Sequence, residues 1–194
     1  PPGQQLAIST DMLVAGRHFF EGTDPVAIGH KALAVNLSDL AAMGARPVGF
    51  TLALALPTAD AAWLQGFADG LFGLAARAAC PLIGGDTTRG PLNISITVLG
   101  QVPATHALRR DGARAGDAIW VSGPLGAAAL AVARRSQGQP VPDAAARRLD
   151  WPEPRLTAGL GLAGVASAAM DISDGLAGDL GHLLTASGRR QGLS

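Results

Sequence analysis

Lys31-Ala32-Leu33-Ala34-Val35-Asn36-Leu37-Ser38-Asp39-Leu40-Ala41-Ala42-Met43-Gly44-Ala45 decides how the rest of the chain reads. Upstream, Asp24-Pro25 is a strong helix start, an N-cap aspartate followed by proline at the first helical position. The helix should run to about Met43, where Gly44 supplies the stop. Ala32, Val35 and Met43 fall on one face, which is expected to pack on a sheet. Asn36 and Asp39 are three apart and share that face. A carboxylate placed there is costly to desolvate without a partner. One reading gives Asp39 a cap or salt bridge with Lys31 or Arg46. The other makes it a metal ligand facing the end of a neighbouring strand.

The flanking segments supply the sheet. Leu6 to Val14 reads as a strand with Ser9-Thr10-Asp11 in its middle. Pro47 to Leu56 alternates Phe50, Leu52, Leu54 and Leu56 with smaller residues, the pattern of a half-buried strand. Asp60 to Cys80 reads as a second helix, with Trp63, Phe67, Leu71 and Leu74 on one core-facing stripe. Leu82-Ile83 is a short strand ending in Gly84-Gly85-Asp86, Thr87 to Pro91 a turn, and Leu92 to Val102 another strand. The order β-α-β-α-β-β predicts an α/β (α+β) fold with a sheet covered by helices.

Pro103 to Asp117 is polar and reads as a linker. A second unit follows: a strand over Ala118–Ser122, a turn at Gly123–Gly126 and a helix over Ala127–Arg135. Further helices are expected near Asp143–Asp150, Thr157–Ala168 and Asp174–Ala186, and a short strand over Met170–Ser173. The expected domains are residues 1–105 and 112–194. Both ends read as cut: Pro1-Pro2-Gly3 runs straight into a strand, and Ser187 to Ser194 closes no element.

Composition narrows the function. Net charge is zero, which gives no support for nucleic-acid or membrane-surface binding. No apolar stretch reaches the roughly 18 residues that cross a bilayer. The single Cys80 rules out an intramolecular disulfide, suits a reducing compartment and reads as a buried small hydrophobe. Glu21 and Glu153 are the only glutamates, and Lys31 is the only lysine. Lys31 does not follow a glycine-rich loop, so a Walker-type phosphate loop is absent. No Ser/His/Asp order, HExxH or CxxC is present, which disfavours hydrolase triads and zinc sites.

Four segments set aspartate beside hydroxyl or turn residues at or inside apolar runs: Ser9-Thr10-Asp11, Asn36-Leu37-Ser38-Asp39, Gly84-Gly85-Asp86-Thr87-Thr88 and Asp171-Ile172-Ser173-Asp174-Gly175. Together they suit hard cations, which take oxygen ligands and bring phosphate oxygens with them. Ser9 and Asp11 should share one strand face, with Thr10 on the other. The alternative for that triplet is an exposed edge. Gly84-Gly85 would let backbone N–H groups approach an anion, or would form a hairpin turn. Asp174 stands at an expected helix N-cap. Asp171 has no such explanation. Arg110 is a candidate phosphate clamp or a solvated linker arginine. His18 follows a strand and is either an anion contact or a surface residue.

Leu6–Asp11, Lys31–Ala45, Leu82–Gly90 and Asp171–Leu176 closely resemble the thiamine-monophosphate kinase family, in that family's order and over nearly the whole chain. The wider superfamily includes aminoimidazole ribonucleotide synthetase, selenophosphate synthetase and a hydrogenase maturation protein. The resemblance implies a two-domain aminoimidazole ribonucleotide synthetase-like fold. Its first-domain sheets form a barrel in a homodimer, and a partial C-terminal α/β domain follows. It also implies that Ser9, Thr10, Asp11, Asp39, Asp86 and Asp171 bind a cluster of Mg2+ ions, and that Asp174 binds a further one. Gly85, Asp86, Arg110 and Ser173 would contact ATP, and His18 the thiamine phosphate. A monovalent cation and a cytoplasmic setting complete the expectation.

The family's upstream Gly-Asp-Asp and downstream Ser-Gly-Gly-x-Asp-Tyr-Glu-Leu segments do not occur in this sequence. The turn at Gly123–Ala127 lacks a polar residue often found after its glycine. The implied activity is ATP-dependent phosphorylation of thiamine monophosphate by in-line transfer. The competing readings are an ATP-using ligase of the same superfamily and a non-catalytic nucleotide-binding, dimerising module. In every version the acidic segments are expected to converge on one pocket.

Overall fold

Four strands carry the first half: β1 (Gln4–Val14), β2 (Arg46–Leu56), β3 (Leu82–Arg89) and β4 (Asn93–Pro103). They form one sheet in the order β1-β4-β2-β3 in this computed structural model, which describes residues 2–188. The expectation for the chain end therefore lies outside the described residues from 189 onward. β4 pairs antiparallel with both β1 and β2, and β3 adds parallel to β2. β1 and β3 are consequently the two edges.

Two helices cover one face. α1 (Pro25–Ala42) starts where Asp24 accepts the Val26 N–H at 3.0 Å, with Pro25 in its first turn. Met43 caps its end, and Gly44 turns the chain into β2 at φ 66°, a conformation that favours glycine. α2 (Ala61–Arg77) starts at Asp60, whose carboxylate accepts from the Ala62 and Trp63 N–H groups.

The helices touch through their backbones. A Cβ on Gly70 would stand 1.8 Å from the Val26 carbonyl oxygen, and one on Gly29 2.0 Å from that of Phe67. Leu33, Leu37 and Leu40 from α1, Phe67 and Leu71 from α2, Phe50 from β2 and Ile94, Ile96 and Val98 from β4 form the core. Each such side chain contributes about 1.5–3 kcal/mol on burial. The other face of β1 is uncovered: Leu6, Ile8 and Met12 are each more than half exposed.

β3 corrects the expected turn at Thr87–Pro91, because the strand continues to Arg89. Pairing of residues 84–89 with Thr51–Leu56 of β2 supplies the ladder that local turn propensity does not anticipate. Gly85 makes this possible. Its φ is 148°, and a Cβ would meet the Leu52 carbonyl oxygen at 1.9 Å.

The second half contributes α3 (Ala127–Ser136), α4 (Asp143–Asp150), α5 (Leu156–Leu162) and α6 (Leu176–Ala186). The expected strands over 118–122 and 170–173 are absent. A strand is held by its neighbours, and neither segment has a ladder partner among the described residues. Ile119 and Trp120 are exposed accordingly. α5 stops at Leu162, short of the expected Ala168.

α5 packs on the end of α1, where Gly159 lies against the Ala41 carbonyl. His30 of α1 donates from Nε2 to the Pro152 carbonyl at 2.8 Å and contacts the Trp151 ring at 4.9 Å. No helix among the described residues is long and apolar enough to cross a membrane.

Candidate functional site

Three of the sequence-selected aspartates influence one another across the gap between β1, α1 and the segment before α6. Asp11 is held above the ordinary carboxylate range, first by burial and then by the charges of Asp39 and Asp171, with His18 working the other way. Asp171 is raised by burial and by Asp39, opposed by a Ser38 hydrogen bond and by Arg110. Ser9 donates its hydroxyl to Asp39. Asp11, Asp39 and Asp171, with Ser9, His18 and Arg110 nearby, therefore come together from positions distant in sequence.

Strand geometry explains the β1 contribution. Ser9 and Asp11 face the helices. Thr10 faces the other way, where its hydroxyl meets that of Thr97 at 2.8 Å on the paired strand. The Thr10 side chain is thus turned away from the three carboxylates. Asn36 is fully buried and uses both ends of its amide: Nδ2 donates to the Ala32 carbonyl at 2.9 Å, and Oδ1 accepts the Asp11 N–H at 3.0 Å. A group so committed is a brace between α1 and β1. It fixes the Asp11 backbone beside Asp39.

Asp86 stands elsewhere. It lies opposite Ala53 on edge strand β3, while Asp11 lies on the opposite edge. Three strand spacings separate those edges, about 14 Å across the sheet. Asp86 accepts the Thr87 N–H at 2.9 Å and is exposed. The expected convergence of all the acidic segments on one pocket is therefore not met within a single chain. Gly85, expected at ATP, has a structural reason for its identity in its close approach to β2.

Ser173 and Asp174 are exposed. Their N–H groups both donate to Asp179 Oδ2, at 2.9 and 3.1 Å. Asp174 does not cap α6. Gly175 holds that position at φ 106°, because the loop's N–H groups are taken by Asp179 from inside the helix. Sequence reading missed Asp179, although an acidic residue in a first helical turn is a recognisable signal. It also passed over Ser38, which lay within a segment it had selected.

Among the described residues Arg110 donates to no carboxylate, and its carbonyl accepts the Ser187 hydroxyl at 2.8 Å. His18 accepts the Val14 N–H on Nδ1 at 3.0 Å, which leaves Nε2 as the donor of the neutral ring.

The donor set suits a hard divalent cation. It consists of carboxylate and hydroxyl oxygens, and the carboxylates repel one another. No three His, Cys, Asp or Glu side chains among the described residues form a ready-made metal cage. Magnesium does not require one, since it commonly keeps waters and takes one or two carboxylates with phosphate oxygens.

Fold and site together define an α/β protein with a helix-covered sheet and an acidic cluster suited to such a cation. The family model described as AIR synthase related protein, N-terminal domain, matches residues 1–102, and the chain belongs to this family. Its sequence is 53% identical over 193 residues to the thiamine-monophosphate kinase of Salmonella typhimurium, covering 97% of this chain. The chain spans 59% of that relative's length. The crystal structure of thiamine-monophosphate kinase from Stenotrophomonas maltophilia K279a superposes with a TM-score of 0.92 at 50% identity. That match covers 96% of this chain and 62% of the other. AaThiL complexed with AMPPCP and TMP matches with a TM-score of 0.90 at 31% identity, over 97% of this chain and 62% of that one.

Proposed function

We propose that this chain is the ATP- and metal-binding part of a thiamine-monophosphate kinase, a cytoplasmic enzyme that transfers the γ-phosphoryl group of ATP to thiamine monophosphate. The observation that carries the reading is the meeting of Asp11, Asp39 and Asp171, with His18 and Arg110 beside them. The kinase relatives and the AMPPCP and TMP complex of AaThiL support it. Residues 1–105 form the nucleotide- and metal-binding domain, and 112–194 belong to the second.

The acceptor phosphate is already an anion, so no general base is required, and repulsion between donor and acceptor is the obstacle. Asp11, Asp39 and Asp171, with Ser9, would hold magnesium, which when bound neutralises phosphate charge. Arg110 pairs with phosphate oxygens of the nucleotide. His18 offers its Nε2–H to the acceptor. Asn36 and Ser9 keep the two carboxylates of α1 and β1 in register before substrates arrive.

The partner is a second copy of the chain. Two free sheet edges and the uncovered Leu6, Ile8 and Met12 face are the surfaces for it. A partner's β3 edge brought to β1 would also carry its Asp86 toward this chain's carboxylates.

The test is phosphorylation of thiamine monophosphate by the full-length protein with magnesium and ATP. Asp39→Asn is expected to lower turnover by about 10²–10³, the usual effect of losing one electrostatic stabiliser. Mixed Asp39→Asn and Asp86→Asn subunits should regain activity, because one of the two sites in the hybrid dimer is then intact. An active enzyme indifferent to Asp39→Asn would remove the carboxylate cluster from the mechanism.

A further inference from the structure

Lys31, the only lysine of the sequence, is carried by α1 into the wall of a cavity of about 80 Å³. Residues 16–20 form one side. Val132 of α3 and Leu149 and Asp150 of α4 form the other. The Lys31 ammonium donates to the His18 carbonyl at 2.8 Å. It makes no close ion pair among the described residues, although the Asp150 charge acts on it from across the cavity lining. Asp150, the acidic residue lining the cavity, is already held by both guanidinium nitrogens of Arg135. That guanidinium also stands over the Phe20 ring at 5.8 Å.

An ammonium has three N–H donors, and the His18 carbonyl takes one. Desolvating the charge is unfavourable, and burial accordingly pushes the Lys31 amine below its ordinary range. An incoming anion would relieve that cost. The cavity is far smaller than the roughly 300–1,000 Å³ of a site that encloses a drug-sized ligand. It suits the anionic end of a ligand.

The same loop is tightly tied. The Arg17 and His18 N–H groups donate to the Val14 carbonyl, Gly16 N–H donates to Phe19, and Val14 N–H donates to the His18 ring. Lys31 thus closes a set of bonds that fixes both the backbone and the imidazole of His18.

We propose that Lys31 is an anion-binding and positioning residue for the acceptor: it pins the His18 carbonyl and offers its remaining N–H groups to the acceptor's phosphate. This rests on the kinase reading above. Protein labelled with ¹³Cε-lysine lets the Lys31 side-chain signal, identified as the one that Lys31→Arg removes, be followed in the full-length protein. Thiamine monophosphate should move that signal along the calorimetric binding curve, and unphosphorylated thiamine should leave it in place. In the assay, Lys31→Met should raise KM for the acceptor about tenfold, as for loss of one charge-assisted contact. KM for ATP should stay unchanged, and Lys31→Arg should recover part of the loss. A merely structural residue would move both KM values together.

A Lys31 signal that stays still while thiamine monophosphate saturates the protein overturns this inference and leaves the kinase reading standing. No calorimetric binding of thiamine monophosphate defeats the kinase reading and this inference with it. The labelled parent decides the matter even if Lys31→Met does not fold.

Discussion

Asp11 keeps its proton to a higher pH than a free aspartate because burial and two neighbouring carboxylates disfavour its charge. Its folded pKa therefore lies above the unfolded value of 3.8, and the native state holds more protons between the two. Stability falls as pH rises through that window and stays reduced above it. Metal-free Asp11→Asn is accordingly expected to melt higher than the parent at pH 7, with the gain vanishing as pH drops toward 3.8. Equal melting temperatures at pH 7 would show that the carboxylates do not strain one another. Cys80 makes a second residue-scale prediction. It is buried, and burial pushes its thiol up to about 11. Ellman's reagent at pH 8 should label it only on unfolding, and quick native labelling would show that the turn between α2 and β3 opens. Asp11, Asp39 and Asp171 were legible in the sequence because carboxylates inside apolar runs are anomalous on local grounds. Asn36 was legible only as sharing a helix face with Asp39, and the strand placed beside it reveals that its amide is spent on the backbone.

At the scale of elements, α1 and α2 are held close by glycines, not by interlocking side chains alone. Gly70→Ala would place a methyl carbon on the Val26 carbonyl, so the helices must separate. The expected cost is about 1–3 kcal/mol. In urea this should lower the midpoint with little change in slope, and an unchanged midpoint would mean that the helices slide apart freely. α1, β2, α2 and β4 could be read from sequence because caps and periodicity are local properties. The second part of β3 could not, because Gly-Gly-Asp-Thr-Thr looks like a turn until β2 offers it a parallel ladder. Residues 118–122 show the converse: an apolar run with strand character and no ladder to join.

At the scale of the molecule, strand order governs the site. Nothing in the segments themselves places β1 and β3 on opposite edges, so the separation of Asp86 from Asp11 was hidden in the topology. His30 links the sheet's main helix to the segment after α4. Burial lowers its pKa, its Nε2–H is given to Pro152, and Arg77 approaches Nδ1 at 3.5 Å. The unfolded chain takes up a proton near pH 6.5 while the native ring resists, so stability is full above that value and declines as pH falls below it. The slope of melting temperature against pH between 5 and 7, flatter in His30→Gln, checks this, and identical slopes would remove His30 from the acid response. The lone lysine has a consequence for proteolysis. Within residues 1–194 a lysine-specific endoprotease can cut at only one peptide bond, Lys31–Ala32, in the body of α1, where Ala32 is fully buried. Its rate of cutting therefore clocks how often that helix comes loose from the protein, and a ligand seated against the ammonium should slow the clock.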